Sequence, residues 1–267
     1  MIRLPYLSVA RFSGADAGSF LQTQLSADID ALDDGQSTFA AYCSPQGKVF
    51  GLLLVGRERD SYLVIASAQL LPSIIQRLGI YVFRAKVEIE LLEGKQICGV
   101  SSSHIDDFSG SVLAPEHIAL RYAIVSPAIE SDDESEPWRH KELSLGVAWL
   151  DANTTEKHIP QMLAYDELDA LSFSKGCYPG QEIIARTHYL GKVKRKPLII
   201  TVCGQASIES GSRVEIQYGD ETVNGILVDT APAGTENSLM FIITRVDEEK
   251  KPVSVSYDGK SYPSVIL

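Results

Sequence analysis

The sequence predicts an α+β protein that changes character near residue 194. Three observations carry this reading. Helical apolar spacing occurs at Ala17, Phe20, Leu21 and Leu25, and again at Leu71, Ile74, Ile75 and Leu78. Around these lie short apolar or alternating runs of strand type. From Pro197 onward six short β-rich segments follow one another without helical spacing, which predicts a small closed or sandwich-like β-module.

In chain order, Ser13 is read as the cap of the first helix, with Asp16 completing a weak capping box. Leu32 to Leu54 reads as turns and strands around the turn Pro45-Gln46-Gly47-Lys48. Ser61–Ala66 is a strand. Ser67 is read as the cap of a second helix with Pro72 in its first turn. Val87, Ile89 and Leu91 alternate as a strand, and Lys95–Val100 and His117–Ser126 read as two more. Glu130 to Glu136 carries five acids in seven residues; like charges repel and resist burial, so this is a solvated loop. Trp138–Leu145 is a short helix. The β-module is expected at 197–203, 213–218, 221–229, 239–246, 253–257 and 261–267, with tight turns at Gly219-Asp220 and Asp258-Gly259.

Composition bounds the function. With 267 residues, 45 % of them apolar, the chain can bury a full core without disulfide or metal staples. The charge is 24 − 35 = −11, which excludes a generally basic nucleic-acid-binding surface and leaves room for a local basic groove. Apolar runs such as Leu52–Val55 and Leu198–Cys203 are far shorter than the ~18–20 residues of a membrane span. The first residues carry no signal-peptide core. Cys43, Cys98, Cys177 and Cys203 are far apart, as expected of free thiols in a reducing cytoplasm. No phosphate loop, dinucleotide fingerprint, zinc-protease motif or nucleophile elbow occurs, and the five histidines lack metal-ligand spacing, so no metal site is expected.

One segment differs from the rest: Phe173-Ser-Lys-Gly-Cys-Tyr-Pro-Gly-Gln-Glu182, continuing through Arg186 to Gly191. Gly176, Pro179 and Gly180 bracket a thiol in a turn-prone loop, and glycine lets backbone approach a ligand closely. Lys175 can lower the Cys177 thiol pKa. Gln181 and Glu182 can hydrogen-bond a heterocycle edge, and Tyr178 can stack on it. A Gly-Pro loop around an inert cysteine fits the composition equally well. The other three cysteines read as buried and inert, Cys43 beside its turn being the most exposed of them.

Lys-Gly-Cys-Tyr-Pro-Gly-Gln-Glu at 175–182 resembles the signature of the YgfZ family, folate-binding proteins related to the glycine-cleavage T-protein (aminomethyltransferase). Phe20–Asp28, Ala41–Lys48, Ile159–Leu163 and the β-rich tail resemble further parts of that family, so the resemblance covers nearly the whole chain. It implies a T-protein-like fold: a discontinuous first module at about 1–45 plus 115–193, an inserted ferredoxin-like module at about 46–114, and a C-terminal six-stranded β-barrel at 194–267. It implies a tetrahydrofolate-binding accessory protein for assembly or repair of iron–sulfur enzymes, including tRNA-modifying ones. Its partners would be folate and iron–sulfur client proteins, with no direct nucleic acid and no membrane.

Under that reading Cys177 is the functional thiol, tuned by Lys175, and Tyr178, Gln181, Glu182 and Arg186 line the folate cleft. Gln22 and Asp28 join from the N-terminal side. Lys192, Lys194, Arg195 and Lys196 are either the cationic partner of an anionic folate tail or a solvated linker. The sequence departs from the pattern at two places. Gly51 and Leu52 stand where T-proteins carry an acidic pair, and Ala164 stands where the family run Pro-Gln-Met-Leu ends in Asn. The rival readings are a folate-dependent aminomethyltransferase or other one-carbon transferase, and a protein–protein scaffold with a vestigial pocket.

Overall fold

The structure is a computed structural model that describes residues 1–100, 110–127, 134–245 and 251–265. Three antiparallel sheets and four α-helices make up the described chain. The first sheet holds β2 (Leu7–Ser13), β3 (Ser37–Cys43), β4 (Val49–Glu58), β5 (Ser61–Ser67) and β6 (Glu88–Leu91), in the order β3-β4-β5-β2-β6. It joins strands from both sides of position 46. The second sheet holds β1 (Ile2–Arg3), β7 (Gln96–Gly99), β8 (Ser111–Leu113) and β9 (Tyr122–Val125), in the order β1-β7-β9-β8.

Strand β4 explains how these layers stack. Its first eight residues are buried on both faces, which fits the unbroken run Val-Phe-Gly-Leu-Leu-Leu-Val-Gly. Successive strand residues point to opposite faces, and its two glycines mark one contact on each side. A Cβ on Gly51 would stand 2.9 Å from Ile74 of helix α2 (Leu71–Val82); one on Gly56 would stand 2.7 Å from Leu113 of β8. The sheet is therefore covered by α2 on one face and by the second sheet on the other.

Helices α1 (Ala17–Gln24) and α2 bury most of the residues their spacing predicts: Ala17, Phe20 and Leu21 in the first, Leu71, Ile74 and Leu78 in the second, while Ile75 is half-buried. Their expected caps are wrong. Ser13 and Ser67 are the last residues of β2 and β5, paired with Ser61 and Leu7. The helices start instead after Asp16 and Leu70 without a side-chain cap bond. Asp16 accepts the Lys86 amide at 2.7 Å. The expected strand at 117–126 shrinks to β9 because 117–120 form turns. Glu136 opens helix α3 (Glu136–Ser144), so the acidic run ends as a helix start; Glu130 to Asp133 and His104 lie outside the described residues.

The third sheet holds β10 (Lys196–Cys203), β11 (Arg213–Tyr218), β12 (Glu221–Ala233), β13 (Asn237–Thr244), β14 (Ser254–Tyr257) and β15 (Lys260–Pro263). Their order is β10-β13-β12-β11-β14-β15, and a bridge between Val202 and Ser264 closes the first strand onto the last. Closure removes the sheet edge, as the reading of a closed β-module requires. Alternate residues divide between two cores. Leu227, Met240 and Ile242 fill the barrel, while Val228, Phe241 and Ile243 join the main core.

Helix α3 fastens the barrel to the remainder. Trp138 lies where a Cβ on Gly99 would stand, and Arg139 pairs with Asp229 on β12. Glu142 is fully buried and accepts hydrogen bonds from Tyr6 (2.6 Å), Tyr122 (2.8 Å) and Trp149 (3.0 Å).

Candidate functional site

The signature segment forms a loop followed by helix α4 (Gln181–Leu190). Gly180 has φ +82, and a Cβ there would stand 2.5 Å from the Ser44 carbonyl and 2.7 Å from the Gly47 Cα. The close approach expected of this glycine is thus made to the protein's own 44–47 turn, not to open space. Gly176 has no neighbour within 4 Å of such a Cβ.

The loop is tied to the turn that follows α1. Lys175 Nζ donates to the Leu25 carbonyl at 2.8 Å and the Ala27 carbonyl at 2.6 Å. Burial of this amine, offset in part by Asp28 and Asp30, lowers its pKa to about 8. Ser26 adds two links: its Oγ donates to the Ala170 carbonyl at 2.5 Å, and its carbonyl accepts the Ser172 amide at 2.8 Å. Gln22 completes the turn. Its Nε2 donates to Asp28 Oδ1 at 2.8 Å and its Oε1 accepts the Ile29 amide at 2.7 Å.

A cleft of about 660 Å³ opens beside this junction. Its walls come from 28–38, 115–118 and 168–174, with Tyr189 closing one side. Asp28, Glu116 and Asp169 supply carboxylates, and among the described residues neither lysine nor arginine lines it. His117 Nε2 lies 3.2 Å from Asp169 Oδ2. Phe173 stacks on His188 at 3.8 Å and meets Tyr189 edge-on at 6.0 Å, giving an aromatic flank. Ser37 lines the cleft while its buried Oγ lacks a hydrogen-bond partner. An acceptor-rich cleft with an aromatic flank suits a planar ligand that presents N–H donors. Its size lies in the range of small-molecule sites, roughly 300–1,000 Å³.

Of the residues singled out in the sequence, Asp28 lines this cleft. Cys177 is exposed on the loop. Tyr178 is a core residue where a stacking platform was expected: it is buried, its hydroxyl has no partner, and Lys175 lies 5.5 Å above its ring. Burial raises its phenol pKa far above the ordinary value. Glu182 and Arg186 pair with each other at 3.0 Å on the outer face of α4. Gln181 is half-buried, its amide donating to the Tyr178 carbonyl. Lys192, Lys194 and Arg195 are exposed between α4 and the barrel, and exposed Lys196 begins β10. Cys203, expected to be buried, is exposed as the last residue of β10; Cys43, the expected exception, is fully buried beside its turn. No group of three or more metal-ligating side chains occurs among the described residues.

The cleft residues Ser37, Glu116, His117, Asp169 and Tyr189 were not singled out as site residues. They come from four separate segments and no local spacing joins them. Phe173 and Tyr189, both inside the signature stretch, were the available signal. A second cavity, about 950 Å³, lies between the start of α3 and the β12–β13 turn. None of the predicted site residues lines it.

No family model matches the chain. A protein of Haemophilus influenzae, named only as uncharacterized, is 32 % identical over 224 residues, which cover 81 % of this chain and 78 % of that protein. The tRNA-modifying protein YgfZ of Enterobacter sp. (strain 638) is 27 % identical over 251 residues, covering 82 % of this chain and 77 % of that one. The chain belongs to the YgfZ-type, T-protein-like family. Its fold agrees: the crystal structure of the glycine cleavage system aminomethyltransferase T from Bartonella henselae superposes with a TM-score of 0.70 at 14 % identity, covering 99 % of this chain and 84 % of that one. In this YgfZ-type chain Gly51 and Leu52, expected from the resemblance to stand in place of an acidic pair, are both buried in β4. Among the described residues, no helix is long and apolar enough to cross a membrane.

Proposed function

We propose that this chain is a tetrahydrofolate-binding accessory protein for assembly or repair of iron–sulfur enzymes, including tRNA-modifying ones, and that the cleft beside the signature loop is its folate site. The observation that carries the reading is the acceptor set. Asp28 and Glu116 offer acceptors to the amino and ring N–H groups of a pterin, and Phe173 and Tyr189 offer an aromatic edge. When bound, a reduced folate supplies a carrier for one-carbon units. The chain's own residues hold and orient it.

Among the described residues, no lysine or arginine lines the cleft to meet an anionic folate tail. We assign that contact to the exposed cluster Lys192, Lys194, Arg195 and Lys196 that follows α4 in the chain. Cys177, exposed and flanked by the Lys175 clamp, is the reactive group we assign toward client proteins. The working location is the cytoplasm. The rival, an aminomethyltransferase, has the fold in its favour and the missing carboxylate pair against it, since loss of a general acid or base costs about 10²–10⁴ in rate.

The test is a deletion strain complemented with the wild-type chain, Asp28→Asn and Cys177→Ala, reading the activity of an iron–sulfur tRNA-modifying enzyme. Wild type restores the activity and both variants fail while accumulating as folded protein. Full restoration by both variants would remove the reading.

A further inference from the structure

We infer that Lys175 is a positioning residue for Asp28: its ammonium clamps the turn that presents the Asp28 carboxylate to the cleft. This deepens the folate reading above and rests on it for the identity of the ligand.

The geometry is specific. The turn 25–30 leaves α1 and returns toward β3; its start is held by a bridge between Leu25 and Tyr42, and 26–30 lie outside helix and strand. Lys175 reaches across from the signature loop and takes two of its carbonyls, those of Leu25 and Ala27, on either side of Ser26. Asp28 is the next residue. Gln22 holds one of its carboxylate oxygens, Oδ1; among the described residues Oδ2 accepts no hydrogen bond and stands available to a ligand donor. Ser26 fixes the same turn to Ala170, Ser172 and Ala41 through neutral bonds. Lys175 supplies the cationic tie in this set. Charge-assisted hydrogen bonds are roughly twice as strong as neutral ones, so the clamp tightens when the amine is protonated.

The groups facing that amine are Asp28 and Asp30 from the turn and the Tyr178 ring from its own loop. Both carboxylates favour the ammonium, and burial opposes it. Because the amine titrates at about pH 8, the clamp weakens in mildly alkaline solution, and the cationic neighbour of Asp28 is lost with it. Lysine rather than arginine at this place makes the site responsive to pH.

The experiment uses the full chain as wild type, Lys175→Arg and Lys175→Met. Each is titrated calorimetrically with tetrahydrofolate from about pH 6.5 to about pH 9.5, and amide exchange of residues 25–30 is recorded without ligand over the same range. Wild type loses about tenfold in affinity across this range. Lys175→Arg, which stays charged, binds with no alkaline loss. Lys175→Met binds at the weak alkaline level throughout. Exchange protection of 25–30, corrected for intrinsic rates, falls above about pH 8 in wild type and not in Lys175→Arg. An alkaline loss retained in Lys175→Arg, or wild-type affinity in Lys175→Met, overturns the inference. Should Lys175→Met fail to fold, the Lys175→Arg profile decides alone. If wild type binds no tetrahydrofolate at any pH, the folate reading falls, and the ligand-free exchange profiles still decide whether the clamp exists.

Discussion

Ile74 of α2 fills the space that a side chain on Gly51 would need: a Cβ there would stand 2.9 Å from its Cδ1. The pair shows that this position is closed by packing, not left as an empty slot. Placing an acid here is therefore more than a point change. Gly51→Asp buries a carboxylate against an isoleucine in the middle of the first sheet, and we expect it to cost about 2–4 kcal/mol of stability. It gains no glycine-cleavage aminomethyl transfer. Urea unfolding and a lipoyl-carrier assay check both parts; transfer at a T-protein-like rate by Gly51→Asp or by wild type would contradict them.

What was readable in the sequence, and what was not, follows from the range of the interactions. The apolar sets of α1 and α2 and the hairpin turns of the barrel are local, and the structure has them where the spacing put them. Ser13 and Ser67 fit a cap pattern equally well, but long-range pairing of β2 with β5 took both into strands. β1 and β8 are two and three residues long and exist only through remote partners. The site divides in the same way. The signature loop stood out by composition, and Asp28 entered through the resemblance of Phe20–Asp28 to the family. Ser37, His117 and Asp169 carry no local mark, since the fold alone brings them to one cleft.

Glu142 is predicted to make the fold sensitive to pH. Burial raises its pKa from 4.5 to about 7, against the three hydrogen bonds that favour the carboxylate. Between those values the folded state binds more protons than the unfolded one, so stability falls as pH rises through the window. The protonated carboxyl's contribution is complete below about pH 4.5 and lost above about pH 7, a swing of about 3 kcal/mol. Glu142→Gln removes the charge at all pH values. Thermal unfolding from pH ~5 to ~8 should show a flatter profile for the variant than for wild type. Equal slopes would refute the assignment.

The cysteines are predicted to sort by exposure. Cys177 and Cys203 label first with iodoacetamide on native protein; Cys43 and Cys98, both buried, stay protected until unfolding. Burial also pushes the Cys43 thiol well above its ordinary pKa. Peptide mass spectrometry after a short pulse reads the order, and early labelling of Cys43 would mean the 44–47 turn opens in solution.

The two loop glycines are predicted to differ. Gly180→Ala meets the Ser44 carbonyl at 2.5 Å and forces φ +82 on an L-residue, so a loss of about 2–4 kcal/mol is expected. Gly176→Ala meets nothing within 4 Å and should stay within about 0.5 kcal/mol of wild type. Paired denaturant curves measure the contrast; equal costs would mean the loop packs elsewhere.

The central claim is that a reduced folate occupies the cleft formed by 28–38, 115–118 and 168–174. Hydrogen exchange with and without saturating tetrahydrofolate, mapped by peptide, tests it most directly. The account predicts slowed exchange in those three segments and in Phe173–Tyr189, with the barrel strands β11, β14 and β15 unchanged. Absence of any change, or protection confined to 134–140 and 232–234 around the second cavity, would contradict it.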